Sequence, residues 1–511
     1  MASVRPAYEQ VKAVPVATAQ RGDSKEGLVF NDLRAFLQYS EEQGNLRQVD
    51  GANWETEIGL ITEWQAMLQD SPALLFDAIP GYPRGFRVAT NLFTAHRRAA
   101  AALGLPPGSS KLEQVKAWRE RERKLTLLPP EEIQWGPVLE NVLEGDGVNL
   151  FIFPAPRWHE NDGGRYIGTG CMIISRDPEE GWVNLGTARV QVQHRETATI
   201  YLSPGRHTDL IRKKYWRNGE SCPVAICCGQ EPILWAASNF PMPWGVSEYD
   251  YAGGLRGRPV EVVKGPYTGL PVPAHAEIVL EGEILPPGTE PELPEGPFGE
   301  WTGYYHPSKP QPPVKIKTVL HRNNPVLQGS PPLLTPLDYA LGRHIRRSAV
   351  VWDFLDREIP GVKGVWVMEG GTPYGGLIIS LQQSWAGHAL HAALKVLGSY
   401  SAAYMLRWII VVDEDIDATD WLQVSWALNT RCDPRESIQV VDGCWGSPID
   451  PRLPPDKRDR GEFTHSCAIV LACKPFHWKE NFPASIRSSS ERIHDIQAKW
   501  GHLLEHGKPY G

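Results

Sequence analysis

The chain has 511 residues, 41% hydrophobic and 22% charged, enough for about three soluble domains with buried cores. Its net charge of −8 excludes an overall positive field that would attract nucleic acid or an anionic membrane. The longest apolar runs, such as residues 408–412, are too short to cross a bilayer, and the first residues lack the apolar core of a signal peptide. The eight cysteines form no C-x-x-C pair, as is typical of buried free thiols. We therefore expect a cytoplasmic protein.

The first third of the chain is predicted to be a loose tail over residues 1–27 and a small α/β domain over residues 28–145. Apolar residues at helical spacing predict a helix over residues 54–68; they are Ile58, Ile61, Trp64 and Leu68. The charged run at residues 111–124 predicts a solvent-exposed helix. No pattern in this part indicates site chemistry, so we interpret it as scaffold.

The middle third, residues 146–330, consists of short β-rich runs between Gly/Pro turns. This density of strands predicts a barrel-like or sandwich domain. The predicted strands cover residues 171–175, 188–193, 197–202, 260–263, 277–280 and 314–320.

The last third, residues 331–511, returns to mixed patterning. Helices are predicted at residues 337–355 and 387–397, and strands at residues 364–368, 377–381 and 408–412. The chain closes with a predicted helix over residues 489–506, whose apolar stripe consists of Ile493, Ile496, Trp500 and Leu503.

The segment at residues 294–305, PEGPFGEWTGYY, concentrates two carboxylates in an ordered turn. Pro297 fixes its own φ, while Gly296 and Gly299 permit backbone angles that other residues resist. If Glu295 and Glu300 are held close together, both cannot ionise freely, so one pKa rises and a proton donor becomes available. The alternative is a solvated turn with two acids of no functional role.

A second candidate set is Asn184, His207 and Glu248, which together offer two oxygens and an imidazole. Such a set suits Mn²⁺ or Mg²⁺ better than a closed thiolate zinc site. Taken singly, each residue has an ordinary alternative: a turn residue, a hydrogen-bonded loop histidine, and a cap or surface acid.

Several segments, taken together and in order, resemble the UbiD family of reversible decarboxylases. They are N-x-x-x-x-R at 184–189, His207, GVSE ending at Glu248, AEIVLEG at 276–282, EGPFGE at 295–300, VVDEDID at 411–417 and W-A-x-x-T-R at 426–431. One such motif alone would be a weak signal, whereas the whole series in this order is specific.

The resemblance implies a multidomain α+β fold with an N-terminal α/β domain, a central split β-barrel that binds flavin, and a C-terminal α/β domain for dimerisation. It implies prenylated FMN as cofactor, supplied by a flavin prenyltransferase of the UbiX type, and a homodimer or higher homo-oligomer. The substrate would be an aromatic, heteroaromatic or α,β-unsaturated carboxylic acid.

Residue roles follow from the same resemblance, position by position. Arg189, Glu295 and Glu300 would be catalytic, with Glu300 as proton donor. Asn184, His207 and Glu248 would hold Mn²⁺ or Mg²⁺, and a K⁺ site would comprise Ala237, Ser238, Phe240, Glu248 and Arg431. The cofactor would contact Asn184, Gly186, Thr187, Ala188, Arg189, Arg206, His207, Ser238, Asn239 and Glu248. The substrate pocket would include Arg206, Trp301, Leu337, Ser447 and Ile449.

The chain departs from a fungal member of the family that it resembles at three positions. Ser401 stands where that relative has a lysine near the flavin phosphate, and Arg407 and Lys395 are the candidate replacements. Arg206 stands in place of a glutamine, and Ser447 in place of a phenylalanine that packs over the substrate. The resemblance therefore does not identify the substrate, and Ser447 predicts a wider pocket on its wall.

One basic run, at residues 342–347, is not explained by these roles. Helical spacing puts Arg343 and Arg347 on one face, which we interpret as a solvated face or a subunit contact. Attraction of anionic acids toward the cleft is the alternative.

Two rival functions stay open. The first is an ordinary flavin reductase, in which Arg189 and the two glutamates would have no function. A non-catalytic homologue that stores the modified flavin would not need a proton donor.

Overall fold

The structure is a computed structural model, and it describes residues 28–68, 70–334, 338, 340–370, 374–486 and 488–504. The predicted tail at residues 1–27 and the predicted pocket residue Leu337 lie outside these ranges. No helix within them combines the length and the apolar character that a membrane crossing requires.

The helices are α1 (Leu33–Glu42), α2 (Glu57–Ala66), α3 (His96–Ala102), α4 (Lys111–Arg123), α5 (His207–Arg217), α6 (Pro232–Ser238), α7 (Glu248–Arg256), α8 (Ala340–Asp356), α9 (His388–Leu397), α10 (Trp421–Arg431), α11 (Pro434–Ser437), α12 (Pro455–Asp459) and α13 (Ser490–Leu504). The strands are β1 (Leu46–Asp50), β2 (Ala73–Asp77), β3 (Arg87–Thr90), β4 (Glu131–Glu132), β5 (Asn141–Glu144), β6 (Arg165–Gly168), β7 (Cys171–Arg176), β8 (Val183–Gly186), β9 (Arg189–His194), β10 (Thr197–Tyr201), β11 (Cys222–Cys228), β12 (Glu261–Lys264), β13 (Pro271–Pro273), β14 (Ile278–Ile284), β15 (Leu293–Glu295), β16 (Phe298–Gly299), β17 (Tyr305–His306), β18 (Lys309–Gln311), β19 (Pro313–His321), β20 (Val326–Gln328), β21 (Val362–Val367), β22 (Gly376–Leu381), β23 (Trp408–Asp413), β24 (Ile438–Trp445) and β25 (Thr464–Ala472).

The first third forms a 4-stranded sheet in the order β1-β2-β3-β20, in which β20 returns from residues 326–328 to pair with β3. The predicted helix at residues 54–68 is α2, but its Trp64 and Leu68 side chains are exposed because Ile58, Thr62 and Ala66 form the buried face. The prediction that α4 is a solvent-exposed helix is wrong. Its Trp118 is buried, because α4 packs on α8.

The middle third is dominated by a 9-stranded sheet in the order β6-β9-β10-β19-β14-β11-β7-β8, with β5 also on β19. Strands β6 and β8 do not pair with each other in the described part of the chain, so the sheet is open. Consecutive strands β8 and β9 nevertheless lie near opposite ends of this order. Only Thr187 and Ala188 separate them, a link that spans at most about 11 Å. The sheet must therefore curl until its two ends are close, and the β8–β9 link crosses the remaining gap.

The last third contains a 5-stranded mixed sheet in the order β21-β22-β23-β25-β24. Strands β22, β23 and β25 run parallel, as expected for strands joined by crossover helices, and they are rich in buried Val, Ile and Leu. Helices α8 and α9 pack against this sheet. The predicted terminal helix is α13, and its apolar stripe at Ile493, Ile496, Trp500 and Leu503 is exposed.

Candidate active site

Arg189, the first residue of β9, joins the two acids of the 294–305 segment. Its Nε and Nη2 donate to the two carboxylate oxygens of Glu295 at 2.7 and 2.8 Å, a bidentate pair. Its Nη1 donates to one oxygen of Glu300 at 2.7 Å. The structure therefore brings together the three residues that the sequence predicts to be catalytic, around a single guanidinium.

The two glutamates differ in their surroundings. Glu295 is fully buried and accepts a third hydrogen bond, at 3.2 Å, from the hydroxyl of Tyr166. Burial raises the pKa of Glu300; Arg189 opposes this shift and the charge of Glu295 reinforces it. Glu300 is therefore suited to hold a proton beside an ionised neighbour.

The backbone of the acid segment is fixed by contacts from β9 and from the 163–164 turn. The Gly296 N–H donates to the side-chain oxygen of Gln191 at 3.0 Å, and the Gly163 N–H donates to the Pro297 carbonyl at 2.7 Å. A Cβ atom on Gly163 would lie 2.0 Å from the Gly296 carbonyl oxygen, so only glycine fits. Sequence reasoning missed both positions, because Gln191 alternates with apolar residues in β9 like any polar strand residue and its burial is not evident from the sequence.

Aromatic rings enclose the guanidinium of Arg189. Its Cζ lies 4.4 Å from the ring centre of Tyr201 and 5.5 Å from that of Phe298. Beyond Tyr201 lies the His306 ring at 5.1 Å, and burial lowers the pKa of His306 to about 4, so this imidazole is neutral near pH 7. These aromatic neighbours add no charge beside Arg189 and the two glutamates.

Two hydrogen bonds join the segments that carry the predicted divalent-metal residues. The Asn184 side-chain amide donates to the Thr208 hydroxyl at 3.0 Å, next to His207. One carboxylate oxygen of Glu248 accepts the N–H of Leu185, next to Asn184, at 2.7 Å. Helices α5 and α7 each pack against β8, so His207 and Glu248 both begin helices that contact the strand of Asn184.

The protonation of this second set fits a cation. Burial raises the pKa of Glu248 to about 8, so its ionised form needs a nearby positive charge at neutral pH. Burial, together with the charge of Arg206, lowers the pKa of His207, which leaves a neutral imidazole with a ligand lone pair. No cluster of three or more His, Cys, Asp or Glu occurs in the described ranges, as expected if an amide is the third ligand.

The predicted K⁺ residues fall in two places. Ala237, Ser238 and Phe240 are buried at the end of α6, where α6 packs on α7. Arg431 lies at the end of α10, and its guanidinium pairs with Asp413 and Asp415, at 2.7 Å in each case. Among the described residues, no hydrogen bond or ion pair joins Arg431 to the α6 end, so the structure does not bring its side chain into this set.

The remaining predicted cofactor contacts lie in or beside segments that connect regular elements. Gly186, Thr187 and Ala188 form the β8–β9 link, Arg206 precedes α5, and Asn239 follows α6.

Two tyrosines connect three of the predicted pocket residues, Trp301, Ser447 and Ile449. Trp301 lies edge-on to Tyr374 with ring centres 5.2 Å apart. Ser447 is buried, and its oxygen accepts a hydrogen bond from the Tyr404 hydroxyl at 2.8 Å and the N–H of Ile449 at 3.4 Å. The rings of Tyr374 and Tyr404 are in turn 5.4 Å apart. Sequence reasoning missed both tyrosines, for which no motif exists.

The proposed replacements for the phosphate-side lysine have other partners. Lys395 forms an ion pair with Glu358, and Arg407 with Asp450.

The interpretation of Arg343 and Arg347 as a solvated face is wrong, since both side chains are partly buried and contact other residues.

Comparison with known proteins agrees with this geometry. Three domain descriptions of one family match in order: the 3-octaprenyl-4-hydroxybenzoate carboxy-lyase N-terminal domain at residues 37–118, the Rift-related domain at residues 131–333 and the C-terminal domain at residues 341–472. The chain belongs to the UbiD family. Both the family and the carboxy-lyase class predicted from the sequence are confirmed.

Three UbiD-family relatives illustrate the similarity. A pyrrole-2-carboxylic acid decarboxylase of Pseudomonas aeruginosa is 34% identical over 481 residues, 90% of this chain and 93% of that protein. The vanillic acid decarboxylase of Sedimentibacter hydroxybenzoicus in its open form has a TM-score of 0.84 at 29% identity, covering 94% of this chain and 100% of that one. HmfF of Pelotomaculum thermopropionicum in complex with FMN has a TM-score of 0.78 at 28% identity, covering 91% and 99%, and an evolved dimeric form was solved with prenylated FMN.

Replacing Arg189 by lysine should lower kcat/KM for decarboxylation by about 100-fold or more, because an ammonium cannot make the planar bidentate contact with Glu295. CO₂ release by the purified variant measures the effect. The matched control is Arg176→Lys at the exposed end of β7, which should retain full activity. A lysine variant at position 189 with most of its activity would mean that the contact is only electrostatic.

Proposed function

We propose that this protein decarboxylates an aromatic, heteroaromatic or α,β-unsaturated carboxylic acid with prenylated FMN, and that Glu300 is its proton donor. The observation that carries the proposal is the single guanidinium of Arg189 shared between a bidentate Glu295 and a singly bonded, readily protonated Glu300. A flavin reductase or a storage protein has no use for this buried arrangement.

The residues can be given separate tasks. Loss of CO₂ from an sp² carbon leaves a charge in the ring plane that no side chain accepts, and prenylated FMN would supply the electron sink. Three of the five N–H groups of Arg189 bond the glutamates, and the other two can orient the substrate carboxylate. Glu300 would deliver its proton to the carbon that lost CO₂, and would remove it in the reverse direction.

Asn184, His207 and Glu248 would hold the divalent ion, Mn²⁺ or Mg²⁺, with Glu248 ionised by it. The backbone at residues 237–240 would hold K⁺. We also propose that the curled, open central sheet is the split barrel that binds the flavin, since the β8–β9 link joins both candidate sites across its gap.

Three further features belong to the same proposal. The domains would span residues 28–145, 146–330 and 331–511. The exposed apolar stripe of α13, with Trp421 and Trp426 on α10, supports a homo-oligomer. A UbiX-type prenyltransferase as cofactor supplier and a cytoplasmic location remain predictions.

Co-expression with a flavin prenyltransferase tests the proposal directly. The purified protein should carry prenylated FMN by absorption spectrum and intact-cofactor mass, and should release CO₂ from a member of an aromatic-acid panel. Protein that carries only unmodified FMN, or no flavin, would contradict the proposal.

Replacing Glu300 by glutamine should abolish turnover, because the amide keeps the shape of the side chain but has no transferable proton. Flavin content should be unchanged, since Glu300 is not among the predicted cofactor contacts. CO₂ release and the flavin spectrum of one preparation give both results. Near-normal decarboxylation would remove Glu300 from the mechanism.

Replacing His207 by alanine should lower metal content and, with it, flavin content, because the ion offsets phosphate charge. Metal analysis and the flavin spectrum measure both. His306→Ala is the control, as a second neutral, half-buried histidine outside this set. Full occupancy of metal and flavin in the His207 variant would count against the assignment.

Replacing Ser447 by phenylalanine should reduce activity toward polycyclic acids more than toward monocyclic acids. A phenylalanine at this buried position needs more volume than serine and would displace neighbouring groups such as Tyr404, which bonds Ser447. A panel of mono- and polycyclic acids measures the ratio. Equal losses for wide and narrow acids would mean that this wall does not set substrate width.

A further inference from the structure

Two tryptophan rings pack against the imidazole of His207, the predicted metal ligand at the start of α5. We define the ring cluster as Trp182, His207 and Trp244. The His207 ring centre lies 5.6 Å from that of Trp182 and 5.2 Å from that of Trp244, and the two indoles are nearly perpendicular to it, at 88° and 87°. The indoles also contact each other, with ring centres 5.0 Å apart. Each ring of the cluster therefore contacts the other two.

The members of the ring cluster come from the same three segments as the predicted ligands of the divalent ion. Trp182 precedes Asn184 by two residues, and the Asp177 N–H donates to the Trp182 carbonyl at 2.9 Å, which extends the pairing of β7 and β8. Because alternate residues of a strand point to the same face, Trp182 and Asn184 share a face. Trp244 lies four residues before Glu248, the first residue of α7. Contacts among the rings therefore hold these three segments together.

The rings are the contacts that can orient the His207 imidazole. A metal-binding histidine usually donates its other ring N–H to a carboxylate, a carbonyl or water, which fixes the orientation of the ring. Within the described ranges, no hydrogen bond from a protein group holds the His207 ring. Perpendicular packing places the positive edge of one ring against the negative face of another, so it favours one orientation of the imidazole.

Burial in the core does not explain the position of Trp244, which is 38% exposed. Its Nε1 donates to a carboxylate oxygen of Glu180 at 3.0 Å, and Nζ of Lys214 lies 5.0 Å from its ring centre. Lys214 follows His207 by seven residues on the same face of α5, and it pairs with the buried Asp177 at 2.7 Å. Charged neighbours therefore fix the Trp244 ring where hydrophobic burial alone would not.

We propose that Trp182 and Trp244 are positioning residues that hold His207 in the orientation that binds the divalent ion. The inference rests on the proposed function, in which Asn184, His207 and Glu248 hold Mn²⁺ or Mg²⁺. A ligand that is already oriented loses less conformational freedom when the ion binds, so the affinity for the ion is higher. An indole offers an N–H donor and no ligand atom for such an ion, so both tryptophans act through His207.

Titration with Mn²⁺ tests the proposal on protein made without a prenyltransferase and kept at one saturating concentration of FMN. The electron paramagnetic resonance signal of free Mn²⁺ gives the Kd without any assay of turnover. Trp182→Ala and Trp244→Ala should each raise this Kd by about tenfold or more, the effect expected for groups that orient a metal ligand. Trp182→Phe and Trp244→Phe, which keep a ring against the imidazole, should each retain most of the affinity.

Trp216→Ala is the matched control, because Trp216 lies on the same helix as His207 but outside the ring cluster. Its Nε1 donates to the Ile284 carbonyl at 3.3 Å, so its loss should lower Tm and leave the Kd for Mn²⁺ unchanged. An equal rise of the Kd in this control would mean general destabilisation and would overturn the inference.

The remaining outcomes separate the inference from the proposed function. Alanine variants at positions 182 and 244 that bind Mn²⁺ as tightly as the wild type would overturn the inference alone. Phenylalanine variants as weak as the alanine variants would also overturn it, since the indole N–H would then matter and the ring contact would not. Wild-type protein that binds no Mn²⁺ in the presence of FMN would overturn the metal assignment of the proposed function together with the inference.

Discussion

The shared guanidinium of Arg189 is the interaction on which the candidate active site depends. Its fork geometry lets it bond both oxygens of Glu295 while a third N–H reaches Glu300, so one cation serves two carboxylates unequally. Without the cation, Glu295 would be an isolated charge in a fully buried position, which is costly. With it, the carboxylate of Glu295 is compensated, and the remaining acid can take up and release a proton.

The unequal bonding of Arg189 to Glu295 and Glu300 requires a rigid backbone. A small shift of the acid segment would let the two glutamates exchange their positions on the guanidinium. The close approach of Gly163 to Gly296 and the bond from Gly296 to Gln191 supply that rigidity from the sheet itself. Tyr166 adds a third donor to Glu295, and its ring lies 3.9 Å from that of Phe298, in the middle of the segment. The site is therefore positioned by strands β6 and β9 more than by its own turn.

Sequence patterns predicted the parts of this architecture that depend on local periodicity. The strand runs and α8, α9 and α13 agree with the structure to within a few residues, since alternation and helical spacing identify the type and bounds of an element. They do not show what covers an apolar face, because the stripe of α13 is exposed. The same reasoning failed where burial depends on a distant partner. Trp118 of α4 is buried by partners far away in the chain, among them Phe240 and helix α8, and no local pattern in a charged helix indicates that.

The residues of the candidate site also divide into those that a local motif identifies and those that only long-range contacts identify. Arg189, Glu295 and Glu300 were predicted because they lie in motifs, and the structure joins them as expected. Tyr166, Tyr374 and Gly163 belong to no motif, and their importance comes from contacts between segments far apart in the chain.

Arg189 is compensated from within by two carboxylates, so its charge is already offset inside the site. Three of its five N–H groups bond Glu295 and Glu300, and the other two can orient a substrate carboxylate. Preference for an acid substrate would then come from directed hydrogen bonds at Arg189, since a charge that is already offset does not attract every anion.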